Sequence, residues 1–571
     1  VAKNARRGAA RRSSAAASTA VVAPAAALPW WATVRGAGAL VALLAIAAYA
    51  RALGNDFSYD EGLVIARAQP FLTSGSFETL LSRRYFAASL EGTWRPFCTL
   101  TYMIDALVSM RPAMFKVTNL AWHIGAAWLV MALARRLLPE RHRRWAVIAG
   151  VLFAVHPITT ETVDNASFRE DALVTVFTLA TLVLALDGRP WLALASFALG
   201  LLSKESAVVA PALLLGVRWA RLGPDPRRRS VADLVRELGP YAIVAAAYAA
   251  VRFGPLRTPM AYARYPGGSF EAALGGLPAI WTHDFRLLFF PWPLCADLTG
   301  YFDFGRQPLV PFIGALAVVL LYGGAVLYAG SRGHRLVAFG LGWFGIALLP
   351  VSNLVPIPIP AAERFLYLPL AGVAVAAAAG VGALADGAGA ARWRRALGVV
   401  AGVSVVVAWI ALTNLRHADW RNDEALWRAT ARVNPRSCGA QSAIGGTLLS
   451  RGMAERAPDR ARELLRESVV RQQMALSLCG DEGDVFRAAM MQTRLGAALA
   501  LLGEPAGARA ALERANELVP RYALAVVWLG YVAHLEGNND RAAALLQRAV
   551  VELGPPDATV AAVAQLYIDK I

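Results

Sequence analysis

Long apolar runs recur along most of this 571-residue chain, and they constrain its fold more than any other feature. A helix needs roughly 17 to 25 apolar residues to cross a bilayer, and fewer where neighbouring protein shelters it. Eleven such stretches stand near residues 31–53, 114–134, 145–160, 170–187, 190–203, 206–220, 238–253, 308–329, 334–351, 364–385 and 394–414. With 57% hydrophobic residues and a mean hydropathy of +0.45, the chain is too apolar for a soluble globule. The expectation is an all-α, polytopic membrane bundle of about eleven spans.

The formal charge of +17 would suit a nucleic-acid binder if it lined one polar domain. Instead the arginines bunch between apolar stretches, at Arg6 to Arg12, Arg135 to Arg144, Arg218 to Arg229, Arg332 to Arg335 and Arg392 to Arg395. That is the pattern of cytoplasmic loops, so no nucleic-acid partner is expected. An odd number of spans starting inside puts all these runs on the cytoplasmic face. The acids at Asp60 and Glu61, Glu161 to Asp171, Glu205, Asp284 to Asp303 and Glu363 then share the outer face. The stretch 190–220, interrupted at Ser203, Lys204 and Glu205, can also be read as one long helix.

Residues 1–30 are basic, Ala/Ser-rich and aperiodic, the composition of a disordered cytoplasmic tail. The apolar stretch that follows, Trp31 to Leu53, is long enough to span the bilayer, which favours a first span over a cleaved signal peptide. The four cysteines, Cys98, Cys295, Cys438 and Cys479, form no CxxC pair and indicate neither a zinc site nor a disulfide scaffold. Cys438 and Cys479 lie in one segment and can pair in an oxidising compartment.

From about Asp419 the composition changes to Ala, Leu, Arg and Glu with helical periodicity, and an internal repeat appears. Leu495-Gly496 recurs as Leu529-Gly530, Gly503 as Gly537, Ala508 as Ala542 and Ala515 as Ala549, each 34 residues apart. This is the period of the tetratricopeptide repeat, in which small residues let paired helices approach closely. A degenerate earlier copy runs from Glu424 through Pro435, Gly445 and Gly452, and 556–570 reads as a capping helix. The domains expected are the tail 1–30, a membrane domain 31–415 and a repeat domain 416–571.

Charges close to a membrane are costly unless solvated or used, so the outer-face polar residues are the candidates for chemistry. Asp60 follows the first span in Asn55-Asp56-Phe57-Ser58-Tyr59-Asp60-Glu61 and can serve as a general base; capping the next helix is the plainer alternative for both acids. Arg95, in Thr93-Trp94-Arg95-Pro96, suits phosphate contact or simple snorkelling. His156-Pro157 with Glu161, and Arg169-Glu170-Asp171, bracket an outward turn that can hold sugar hydroxyls or lock itself by ion pairs. Lys204 beside Glu205 can neutralise a phosphate or stabilise a helix break. Glu363-Arg364 opens the tenth span, and Arg364 is a further phosphate candidate.

This ordered set resembles the transmembrane and tetratricopeptide-repeat protein O-mannosyltransferases, of the GT-C superfamily. The likeness runs through Asp60-Glu61, Arg95-Pro96, Asn119 with His123, His156-Pro157 with Glu161, and Arg169-Glu170. It continues through Ser203-Lys204-Glu205, Glu363-Arg364-Phe365-Leu366-Tyr367-Leu368-Pro369 and the repeats. Many relatives carry two aspartates where this chain has Asp60-Glu61, and the repeat array is shorter than in the animal proteins.

The resemblance implies a GT-C membrane fold with a repeat α-solenoid. It also implies transfer of a hexose, mannose for preference, from a polyprenyl-phosphate donor to hydroxyls of an exoplasmic protein held by the repeats. It assigns catalysis to Asp60 with Glu61, donor phosphate to Arg95, Lys204 and Arg364, and sugar or acceptor positioning to His156, Glu161, Arg169, Glu170, Glu205 and Glu363. No cofactor is obligate, since the phosphodiester leaving group is already good; no metal ligand is assigned, although the acidic pair leaves room for a divalent ion. The expected location is a bacterial inner membrane with the repeats outside. A lipid or polysaccharide acceptor, or a non-catalytic envelope assembly factor, are the other readings; a transporter lacks the paired broken helices it would need.

Overall fold

The computed structural model describes residues 29–222, 231–257, 265–304, 309–357, 359–385, 392–479 and 485–553. Residues 1–28 of the expected tail 1–30 and the expected cap at 556–570 lie outside the described residues. Among the described residues the secondary structure is helical throughout.

Numbering helices of nine residues or more, the membrane part runs α1 Val34–Tyr49, α2 Pro96–Val108, α3 Pro112–Leu137, α4 Ala146–Val155, α5 Arg169–Leu186, α6 Pro190–Ser203 and α7 Ala210–Leu222. It continues with α8 Val231–Phe253, α9 Phe270–Phe289, α10 Leu309–Ser331, α11 Arg335–Leu348, α12 Tyr367–Ala385 and α13 Arg392–Arg416. Thr33 caps α1 by accepting the Gly36 N–H at 3.0 Å, and α2, α3 and α6 each start on a proline, where the missing N–H costs no helical bond.

Every expected span falls on a helix, yet among the described residues six are long and apolar enough to cross a membrane, or seven counting the pair Glu140–Val155 and Pro157–Asp164, bent by 50° at His156-Pro157. The count of eleven is not reached on this measure for a physical reason. α6, α7 and α11 have 14, 13 and 14 residues, and α5 opens on Arg169-Glu170-Asp171. The first two turns of α5 are buried throughout, so protein rather than lipid surrounds its charges. α8, α10 and α13 carry nearly all their apolar surface outward, whereas α1, α3 and α12 bury a third to half of theirs in the central core. Helix α9 was not anticipated: Gly275, Gly276 and Pro278 interrupt its pattern, and Asp284, expected in an outer loop, is buried within it.

The C-terminal helices are α14 Asp423–Val433, α15 Cys438–Ala454, α16 Pro458–Cys479, α17 Val485–Leu501, α18 Pro505–Leu518, α19 Ala523–Leu535 and α20 Asn539–Gln547. The repeated glycines have a common role. A Cβ on Gly452, Gly496 or Gly530 would stand 2.9, 2.5 or 2.8 Å from Leu465, Leu512 or Leu546 of the paired helix. Three antiparallel pairs thus pack at the distance only glycine permits. Gly503 and Gly537, with φ of 83° and 78°, end α17 and α19 by the same left-handed turn. Cys438 and Cys479 form a disulfide with Cα atoms 5.8 Å apart, tying the start of α15 to the end of α16.

The loop after α1 is bonded directly to the segment after α13. The Asn55 side chain donates to the His417 carbonyl at 2.9 Å, and Asp56 N–H to the Arg421 carbonyl at 3.0 Å. The first loop and the repeat domain therefore lie on one face of the membrane part.

Candidate active site

That face gathers short breaks in otherwise continuous helices. Pro157 breaks the chain between α4 and α5, Lys204 is extended between α6 and the turn before α7, and Glu363-Arg364 sit in a 3-10 turn ahead of α12. Breaks at these points bring side chains distant in sequence into one cluster.

Within it the charges alternate. Arg95 donates to Glu170 at 2.9 Å and lies 3.8 Å from Glu205; Lys204 pairs with Asp171 at 2.5 Å and with Glu170 at 3.8 Å. Arg252, from the end of α8, lies 3.3 Å from Glu205. Arg364 pairs with Glu161 and lays its guanidinium 4.0 Å above the Phe168 ring, and its backbone N–H donates to the same carboxylate at 2.7 Å. Buried ions demand such pairing, since an uncompensated charge away from water is far costlier than a paired one. The side chains of Arg95 and Glu205, 19% and 44% exposed, are the open end of the network.

Asp60 stands at the same cluster and differs from every other acid in it. The residue is exposed, and its carboxylate has no hydrogen-bond or ion-pair partner among the described residues. Crowding by surrounding protein nevertheless raises its pKa to about 6; Arg364 opposes the rise, while Glu170, Asp423 and Glu161 add to it. Glu91 lies nearby, pushed up to about 7 chiefly by burial and accepting the Tyr85 hydroxyl at 2.8 Å.

Glu61 points the other way. It is fully buried, accepts the N–H groups of Ser58 at 2.8 Å and Ala166 at 2.6 Å, and meets Lys116 at 3.4 Å. Neither acid caps the helix that follows, and the two do not form a carboxylate pair facing one site. Among the described residues no group of three or more His, Cys, Asp or Glu side chains is placed to hold a metal.

Three other candidates are spent on structure. His156 accepts the Ile158 N–H at 3.2 Å, bonds the Leu288 carbonyl at 3.0 Å and packs 4.2 Å from the Trp409 ring, which fixes the bend after α4. Arg169 is fully buried, bonded to Asn119 at 2.7 Å, Thr101 at 3.0 Å and the Phe115 carbonyl at 3.0 Å, and paired with Asp105 at 2.6 Å. Glu363 accepts the Cys295 N–H and faces Arg416 at 3.7 Å. Asn119 and His123 are likewise internal fasteners, His123 bonding Tyr367 at 2.7 Å.

The structure also adds residues. Arg252 carries the signal that singled out Lys204, a cation at the end of an apolar stretch, and was legible on that rule. Asp423, Trp427 and Tyr59 were not. Asp423 accepts the Tyr59 N–H at 2.7 Å, and the Tyr59 ring stacks on Trp427 with centroids 5.0 Å apart, pairings across more than 360 residues of sequence.

These features define an all-α polytopic membrane protein whose C-terminal helical repeats adjoin the loop that carries Asp60 and the charged cluster. Its curated relatives are protein O-mannosyl-transferases. Tmtc2 of Drosophila melanogaster is 34% identical over 188 residues, 29% of this chain and 20% of the relative; Tmtc1 of the same organism is 34% identical over 134 residues, 22% of this chain and 15% of the relative. The human protein TMTC4 is 25% identical over 495 residues, 74% of this chain and 64% of its own length. This bears out the resemblance drawn from the ordered motifs. The matched segments cover a fifth or less of the two Drosophila proteins. No family model matches the chain, and no solved structure matches it.

Proposed function

We propose that this chain is a membrane glycosyltransferase of GT-C type that moves mannose from a polyprenyl-phosphate donor to hydroxyl groups of an exoplasmic protein. The observation that carries the reading is Asp60, on an exposed residue and without a carboxylate partner among the described residues, beside a cluster of paired cations and acids.

In this reading the acceptor hydroxyl gives its proton to an Asp60 carboxylate oxygen as its oxygen bonds the anomeric carbon. The bond from that carbon to the phosphate oxygen breaks, its electron pair leaves with polyprenyl phosphate, and the configuration inverts. Arg95 and Arg252 meet the phosphate charge. Glu205, the most exposed acid of the ion-pair network, holds these two cations until the phosphate displaces it. Lys204 and Arg364 stand behind them, held by Asp171 and Glu161, and contribute field rather than direct contact. Glu161 and Glu170 orient the sugar, and no step is routed through a metal. The repeats present the acceptor, and their bonding to the first loop favours this reading over an assembly factor anchored by an inert membrane part.

The purified chain in liposomes, supplied with polyprenyl-phosphate mannose labelled in the sugar, should place label on serine or threonine of co-reconstituted envelope protein and release polyprenyl phosphate in equal amount. Label appearing only in lipid or polysaccharide would move the acceptor assignment. Donor left intact would end the enzymatic reading.

A further inference from the structure

Tyr59 has a backbone φ of 57°, a conformation costly for a bulky side chain, and it directly precedes Asp60. Something must hold it there. Its N–H donates to the Asp423 carboxylate at 2.7 Å, and Asp423 also bonds the Trp427 side chain. The Trp427 ring stacks on Tyr59 at 5.0 Å with an interplanar angle of 27°, closing a triangle of contacts. On its other side Tyr59 meets the edge of Phe168 at 5.4 Å, the ring beneath the Arg364 guanidinium. Glu61 is fixed to the membrane domain by Ser58, Ala166 and Lys116. Asp60 is thus clamped between one neighbour held by the membrane domain and another held by the repeat domain.

We propose that Asp423 and Trp427, on the first helix of the repeat domain, are positioning residues for Asp60: by holding Tyr59 in its left-handed conformation they aim the carboxylate at the acceptor. The inference rests on the functional reading above and adds to it. The repeat domain completes the active site as well as presenting the acceptor. Without the Asp423 acceptor the peptide at Tyr59 relaxes toward φ below zero, and the side chain of the next residue swings with it. Asp423 and Trp427 touch no reacting atom and act through backbone geometry alone.

Two readouts test this on the full chain. The first is hydrogen exchange of the peptide spanning residues 55–61. Asp423→Ala should speed it by about tenfold or more, because a charge-assisted bond to that N–H is lost; Asp423→Asn, which keeps an acceptor oxygen, should not. Trp427→Ala should speed the same peptide and provides a second variant should Asp423→Ala fail to fold.

The second readout is transfer from polyprenyl-phosphate mannose. Asp423→Ala should lower kcat about tenfold with the donor KM changed less than about twofold, Asp423→Asn should recover most of it, and adding Asp423→Ala to Asp60→Asn should cost nothing further. Unchanged exchange in both Asp423→Ala and Trp427→Ala would overturn the proposal, as would fast exchange with full transfer or a loss additive with Asp60→Asn. Full transfer by Asp60→Asn alone would instead defeat the functional reading, while exchange would still decide whether the repeat domain holds the loop.

Discussion

Asp60 and Glu61 are adjacent in sequence and opposite in environment, and the difference is measurable. Asp60 is an accessible carboxylate whose ionised form is disfavoured by crowding and by neighbouring acids. Replacing it with asparagine removes that penalty, so Asp60→Asn should leave the thermal midpoint at pH 7 unchanged or raised. Glu61→Gln leaves Lys116 buried without its anion, and removing one partner of a buried pair costs roughly 3 to 5 kcal/mol. Its midpoint should fall by many degrees in the same scan. Asp60 also sets a pH dependence. A base with a pKa of about 6 is protonated below that value, so transfer should drop about tenfold per pH unit on its acid side. For stability the sign is reversed. A carboxyl raised from an ordinary value near 3.8 penalises the folded state above pH 6, and the penalty disappears as the pH falls from 6 to 4. A transfer rate flat from pH 5 to 8 would remove Asp60 from the proton's path. The sequence marks both acids by their place beside the bilayer. It does not tell them apart, because that depends on Lys116 and on the Ala166 N–H, long-range partners with no local signature.

The helices and their breaks explain why some expected site residues became fasteners. Arg169 begins α5, and its guanidinium is filled by Thr101 and Asp105 of α2 and by Phe115 and Asn119 of α3. Arg169→Leu strands Asp105 and should destabilise the protein by about 3 to 5 kcal/mol, while the folded fraction keeps its turnover per molecule. Loss of turnover with unchanged thermal stability would return Arg169 to the reacting site. In the repeats, the disulfide closes the α15–α16 pair at the end remote from Gly452. Mass spectrometry without reductant should find Cys438 and Cys479 joined and Cys98 and Cys295 free. Helix existence was the most legible level: each apolar run and each 34-residue repeat unit became helix, because periodicity is a local property. Crossing the membrane was less so. α5, α6, α7 and α11 are short or charged and shelter in protein, a fact of packing invisible within any one segment.

At the scale of the molecule, segments separated by hundreds of residues meet at one loop. Asn55, Asp56 and Tyr59 bond to His417, Arg421 and Asp423, and Glu363 from the membrane part faces Arg416 at the domain boundary. The arginine pattern implies that the acids share one face, and a resemblance implies the chemistry. The circuit of ion pairs, with Arg252 as an unforeseen member, and the bond from Tyr59 to Asp423 exist only once the helices are assembled. On the proposed mechanism Asp60, alone among the clustered acids of the described residues, is free to take the acceptor's proton. The most direct test is the initial rate of labelled mannose transfer from polyprenyl phosphate by Asp60→Asn and Glu61→Gln, each normalised to folded protein. Asp60→Asn should lose roughly a hundredfold or more, and Glu61→Gln should lose far less per folded molecule. Near-normal transfer by Asp60→Asn, with transfer abolished in folded Glu61→Gln, would contradict the account.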